Sequence, residues 1–343
     1  MSNLRGWVLV VGPLPIVLGA MTVSHLARPD VAPLRDRNEV LVAERAVDPA
    51  VGDSRAQAAD DASADLRTAC DRAGARLESQ LAADCSLLVR PPFVIAGDLP
   101  REELDGWYQR TIGPASRALA ASYFEAAPDA PITVLLFASE ASYERHARSF
   151  IDTQGASIYG YYRPAQRMLV MNLATGSGTL VHELTHALMD FDFPRAPHWF
   201  NEGLASLHEQ CRIHDDESGL EGLPNWRLPI LVQAIRQDRL QPLAQWMAGD
   251  EFRGHNVSLN YAQARYLCLY LQQRGRLAEF YRRFRATVAN DPSGALTLRA
   301  VLSAESCEAI DAEFRRWVLE LEAAASSTRA RDDAGPALGA QSG

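Results

Sequence analysis

Apolar positions along this chain change period several times, and each change predicts an element. From Leu66 they recur at helical spacing, which predicts a helix over 66–83. "LLVRPPFVIAGD" (87–98) reads as extended, interrupted at Pro91–Pro92. Helical spacing returns over 100–124, where Leu104, Trp107, Tyr108, Ile112, Leu119 and Tyr123 share a stripe. "ITVLLF" (132–137) has the length and β-branched content of a buried strand. A short helix follows over 140–150, then "SIYGYYRP" and "RMLVMNL" (167–173) as a hairpin pair of strands. Residues 179–190 predict a helix. After Pro197 every segment reads as helix: roughly 202–212, 227–238, 257–274, 277–289 and 305–324. The fold class is therefore α+β. A mixed α/β N-terminal lobe with a small sheet (about 65–190) precedes an all-helical C-terminal lobe (about 191–324).

The ends differ from this body. Arg5 precedes an uncharged apolar run from Gly6 to Val23, weakened as a helix by Pro13 and Pro15. Residues 1–27 fit a secretory signal or a short signal-anchor; the competing reading is a buried N-terminal helix. Residues 28–64 and 325–343 lack sustained periodicity and read as a disordered spacer and tail. Export places the body outside the cytoplasm, either periplasmic or extracellular, or held at the inner membrane through residues 6–23.

Composition narrows the function. Of 343 residues, 47% are hydrophobic and 22% charged, enough to bury a core. The formal net charge of −9 argues against nucleic acid as a partner, since phosphate contacts need clustered Lys and Arg. Arg282, Arg283 and Arg285 read as one solvated helix face. The five cysteines form no CxxC pair, which argues against a thiolate zinc site. Cys70 can pair with Cys85 if the helix between them breaks near Gly74.

The stretch "TLVHELTHAL" (179–188) carries the chemistry. His182 and His186 are four apart, so a helix puts both imidazoles on one face, one turn apart. Glu183 points to the adjacent flank, where it can reach a metal-bound water. Leu180, Val181, Leu184, Ala187 and Leu188 dock the helix on the core. Residues 187–201 leave room for a turn before Glu202, in "PHWFNEGLASLHE" (197–209). Glu202 begins a new helix there, and small Gly203 and Ala205 let it approach the first. Two histidines, one glutamate and one water form a catalytic zinc site with an open position.

"HELTH" followed by "NEGLA" resembles the gluzincin metallopeptidases, the thermolysin-like clan MA group that includes the zinc aminopeptidases. In its compactness the chain looks like the bacterial peptidase MA-like domains, over roughly 87–275. The resemblance implies one Zn2+ held by His182, His186 and Glu202 in a cleft between the two lobes, with Glu183 as general base and acid. It implies a peptide or protein substrate lying against "RMLVMNL" as an added strand. In "LNYAQARYLCLYL" (259–271) it points to Tyr261 as oxyanion donor; the competing reading packs Tyr261 in the helical core, like Tyr266 and Tyr270. Two departures stand out. The gap to the third ligand is shorter than in thermolysin, and the Gly-Ala-Met-Glu-Asn amine-binding motif is absent, which speaks against N-terminal trimming.

Other residues read more plainly. His198 is a wall residue beside buried Trp199 and Phe200. His208, Glu209 or Ser206 could orient the zinc histidines. His214 and Asp215–Glu217 form a loop, Asp190 and Asp192 cap or solvate the end of the metal helix, and Thr179 is an N-cap candidate after the Gly176–Gly178 turn. The leading expectation is a zinc endopeptidase of the cell envelope. The alternatives are a catalytically inactive peptide-binding or scaffold domain on the same fold, and a helical protein with structural zinc.

Overall fold

The computed structural model describes residues 49–150 and 158–333. The expected signal or anchor, and the first part of the expected spacer, lie outside them. Among the described residues no helix is long and apolar enough to cross a membrane.

The first part runs α1 (Pro49–Glu78), β1 (Ser86–Arg90), β2 (Phe93–Gly97), α2 (Arg101–Trp107), α3 (Gly113–Ser122), β3 (Ile132–Phe137), α4 (Glu140–Phe150), β4 (Gly160–Arg163) and β5 (Met168–Asn172). A wider turn at Tyr108–Ile112 joins α2 to α3, so the stripe expected over 100–124 is one helical run. The sheet order is β1-β2-β3-β5-β4. β2, β3 and β5 are mutually parallel, while β1 and β4 pair antiparallel at the two edges. Side chains of a strand alternate between faces. Ile95, Val134, Leu136, Leu169 and Met171 point into the main core. Val94, Ala96, Leu135, Phe137 and Val170 point the other way, under Cys70 and Leu77 of α1 and Tyr143 of α4. Both faces are covered, which is why "ITVLLF" is a continuous apolar run.

The second part runs α5 (Ser177–Asp192), α6 (His198–His208), β6 (Cys211–Ile213), β7 (Leu220–Gly222), α7 (Leu228–Arg236), α8 (Leu243–Met247), α9 (Val257–Gln273), α10 (Leu277–Thr287), α11 (Ala295–Leu302) and α12 (Cys307–Asp333). The main core continues from Leu88 on β1 to Val318 on α12, so sheet and helices share it. Trp199 and Phe200 of α6 anchor an aromatic cluster with Phe280 and Phe284 of α10, with Phe200 and Phe280 5.2 Å apart between ring centres.

Several expectations need correction. α1 begins at Pro49, inside the expected spacer, and α12 runs to Asp333, inside the expected tail. The α1 segment is rich in Ala, whose intrinsic helix propensity needs no apolar period. α1 does not break at Gly74; that glycine faces β1, where a Cβ would stand 3.1 Å from Val89 Cγ2. All five cysteines are free thiols, so Cys70 and Cys85 are not bridged. The part after Pro197 is not wholly helical, because β6 and β7 form a small hairpin around the expected 214–217 loop. The cap of α5 is Gly176, in a positive-φ conformation that glycine adopts freely, and Thr179 lies inside the helix. α6 starts at His198, so Glu202 sits in its second turn. Gly203 does not face α5. A Cβ there would lie 2.9 Å from the Ala264 carbonyl oxygen and 3.0 Å from Cys268 Sγ, so its smallness lets α6 approach α9.

This close approach sets a stability prediction. Gly203→Ala forces backbone apart from backbone, and overpacking of this kind costs about 1–3 kcal/mol. Urea denaturation is expected to show that loss. An unchanged midpoint would mean the α6–α9 contact is looser than described.

Candidate metal centre

α5 and α6 bring three donors to one point. The Nε2 atoms of His182 and His186 are 3.0 Å apart, with ring planes nearly perpendicular at 81°. Glu202 Oε2 lies 3.5 Å from each. Tetrahedral zinc with ligands at about 2.0–2.1 Å spaces neighbouring donors about 3.3–3.4 Å apart. The three observed separations bracket that spacing. Glu202 Oε2 is buried and makes no hydrogen bond among the described residues, the condition of an atom waiting for a cation. The donor set, two imidazoles and a carboxylate, suits zinc. Among the described residues, no fourth His, Cys, Asp or Glu joins this group.

The helix faces explain the convergence. Leu180, Val181, Leu184, Ala187 and Leu188 of α5 are all buried in the core, as their spacing predicts, which leaves the opposite face for His182 and His186. α6 is buried on both sides, by the aromatic cluster and by α9, and it presents Glu202 to α5. At the far end, Gly178 of α5 meets the backbone carbonyl of Glu209 so closely that a Cβ would collide. That glycine is a helix-packing contact.

His186 and Glu202 have hydrogen-bond partners, and His182 has a carboxylate at ion-pair distance. Asn201 Oδ1 lies 2.7 Å from His186 Nδ1, so it accepts from that nitrogen and turns Nε2 toward the centre. Glu209 Oε1 stands 3.1 Å from His182 Nδ1, and Arg227 donates to the Glu209 carboxylate with two nitrogens. Of the three orienting candidates, Glu209 is the one beside His182, at ion-pair distance and without a hydrogen bond to Nδ1 among the described residues. His208 and Ser206 are fully buried away from it. Burial, reinforced by nearby Arg265, lowers the His208 pKa to about 3, so that ring is neutral. Arg253, from the α8–α9 connection, donates to Glu202 Oε1 at 2.6 Å and leaves Oε2 to the imidazoles.

The remaining site residues also gather here. Glu183 is half-buried and makes no hydrogen bond or ion pair among the described residues. Tyr261 packs edge-on against Phe252, with ring centres 5.2 Å apart, and lies under the Arg227 guanidinium. Burial first, then the carboxylates of Glu202 and Glu183, raise its pKa far above the usual phenol value, so its hydroxyl keeps its proton. His198 is exposed and lines a neighbouring cavity of about 970 Å³ together with Trp199, Trp246 and Phe252. None of the three metal donors lines that cavity.

Three other expectations change. β5 is paired on both sides, by β3 and β4, so it has no free edge; the sheet's edge strand here is β4. Asp190 accepts from Tyr162 Oη at 2.9 Å, tying α5 to β4. Asp192 is not solvated. It is buried and accepts from the amides of Glu125 and Ala126, from Tyr281 Oη and from Arg285, so Arg285 is no solvated face residue either.

No protein-family model matches this chain. No curated protein matches it either.

Asn201, Arg227 and Arg253 escaped the sequence reading. Asn201 had a signal, its place directly before Glu202 in the same "NEGLA". The two arginines come from connections and had none.

The charges yield a pH prediction. Burial opposes a proton on His182, but the carboxylates of Glu202 and Glu209 outweigh it and raise its pKa to about 10. Metal must displace that proton. Apparent zinc affinity of the metal-free protein is therefore expected to rise with pH up to about 10, with proton release seen by calorimetry in buffers of different ionisation enthalpy. In the metal-free fold the same raised pKa stabilises fully below the unfolded value near 6.5, and that contribution is lost as pH rises through about 10. Glu209→Gln is expected to weaken zinc binding about 10–100-fold; unchanged affinity would remove Glu209 from the centre.

Proposed function

We infer that this chain is a zinc-dependent metallopeptidase of the gluzincin type, exported or membrane-anchored, cleaving peptide bonds in the cell envelope. The observation that carries the reading is the triangle of His182 Nε2, His186 Nε2 and Glu202 Oε2, with Glu183 on the adjacent flank of the same helix. Those three residues would hold the ion. When bound, zinc supplies Lewis-acid polarisation of a carbonyl and a hydroxide nucleophile at neutral pH.

The chain's own residues do the rest. Asn201 holds His186 in the tautomer whose Nε2 is free to ligate, and the Glu209 carboxylate stands beside His182 Nδ1 and favours a proton there. Arg253 occupies one oxygen of Glu202 and directs the other inward. Glu183 takes a proton from the attacking water and delivers it to the leaving amine. Tyr261, protonated across the working pH range, donates to the oxygen on which negative charge develops. The substrate lies in a cleft between the sheet and the helices, and its extended backbone runs along β4, the outermost strand of the described sheet, rather than β5.

Purified protein is expected to hold one zinc at this centre and to cleave members of a peptide library. Glu183→Gln should keep the metal and lose about 10²–10⁴-fold in turnover. Wild type and Glu183→Gln with equal, zero turnover would favour the scaffold reading instead. Tyr261→Phe should lower kcat about 10²-fold; turnover within a few-fold of wild type would return Tyr261 to a packing role.

A further inference from the structure

A second group of metal-ligating side chains lies outside this centre. Asp84 and Cys85 sit on the connection between α1 and β1, and His146 sits on α4. One donor atom from each lies within 4.8 Å of the others. Asp84 Oδ2 is 3.6 Å from His146 Nε2, and Asp84 Oδ1 is 3.9 Å from Cys85 Sγ. A tetrahedral zinc with a thiolate at about 2.3 Å and a carboxylate at about 2.1 Å spaces sulfur and oxygen about 3.6 Å apart. The two Asp84 oxygens stand near that spacing from their neighbours, one from Cys85 Sγ and the other from His146 Nε2.

The fold prepares this place. His146 is buried, and its ring stacks on Phe137 at the end of β3, with centres 5.2 Å apart and planes within 7°. That contact fixes the imidazole plane. Cys85 is held in a turn by its amide, which donates to the Ala82 carbonyl. It directly precedes β1, whose first residue Ser86 stands opposite Gly97, so Asp98 is its neighbour across the hairpin. Asp98 in turn accepts from the Ala138 amide, between β3 and α4. Three donors of different chemistry thus converge where β2 and β3 end, from segments that only the fold brings together.

We propose that Asp84, Cys85 and His146 form a second divalent-metal site, taking a borderline-soft ion of the zinc type and clamping α4 to the α1–β1 connection. The mixed thiolate, imidazole and carboxylate set selects zinc over calcium or magnesium, which take oxygen ligands. Burial, then Asp84 and Asp98, keep the Cys85 thiol protonated in the absence of a cation. On binding, the Cys85 proton goes to solvent as the sulfur–metal bond forms. Arg145 pairs with Asp84 Oδ2 at 3.5 Å, but both side chains are exposed, so it is a partner that a divalent ion displaces.

The full chain loaded with cobalt(II) tests this independently of the first centre, which contains no thiolate. Wild type is expected to bind two equivalents and to show a thiolate-to-cobalt charge-transfer band. Cys85→Ser should lose the band and one equivalent. Asp84→Asn, at an exposed position that does not threaten folding, should weaken the same equivalent. The His182→Ala/His186→Ala variant should keep the band and one equivalent. A band with a single equivalent in wild type would sink the peptidase reading and leave this site standing. A single equivalent with no Cys85-dependent band would overturn this site, leaving Asp84 and His146 as an ion pair beside a bystander thiol.

Discussion

At Gly178 a Cβ would run into the Glu209 carbonyl, and at Gly203 one would crowd Ala264 and Cys268. These two contacts set how far α6 stands from α5 on one side and from α9 on the other. The convergence of the three candidate metal donors is a consequence of that spacing. His182 and His186 belong to α5, Glu202 and both orienting residues belong to α6 or its end, and Tyr261 belongs to α9. Ligand geometry tolerates errors of a few tenths of an ångström at most, so such a centre needs helices whose separation is fixed by backbone contact. Flexible side chains at the same positions could not hold it.

Burial turns that geometry into an electrostatic problem. Three ionisable groups that are nearly excluded from water face one another, with Glu209, Arg227 and Arg253 around them. Burial alone would neutralise each of them. Against its own desolvation, the imidazoles instead hold the Glu202 carboxylate well below its ordinary range, and against the same opposition His182, then the Arg227 guanidinium, bring Glu209 down to about 2. His182, Glu202 and Glu209 are thus held in their charged forms even without metal. The cluster's weak point is Glu202 Oε2, which has charge nearby but no hydrogen bond among the described residues. A divalent cation answers all three donors at once.

What the sequence made legible follows the physics of locality. The metal helix, its apolar face, the strand at 132–137 and the β4–β5 hairpin were readable because period and spacing are local properties. Glu202 was readable because its helix follows the first directly. The partner of Gly203 was not, since α9 lies far along the chain and any helix could have claimed that small face. β5 appeared to be the cleft strand, yet strand order is a nonlocal property, and β4 is the strand left at the edge. The helical start of α1 was hidden for a different reason: alanine-rich segments form helix by propensity without an apolar stripe to announce it. Arg253 and Arg227 were invisible because a charge in a connection has no period at all.

The same arrangement separates three uses of a metal. A structural zinc is closed by four protein ligands. Here three donors converge, and the residue next in line, Glu183, stands on the flank with neither a hydrogen bond nor an ion pair among the described residues. A peptide-gripping scaffold would need the outer edge of β4 but would gain nothing from a half-buried carboxylate beside an anionic ligand. Such a group is tolerable when a cation is present and useful when a proton must be moved. The placement of Glu183 is therefore the feature that favours hydrolysis over both alternatives, more than the ligands themselves, which all three readings would share.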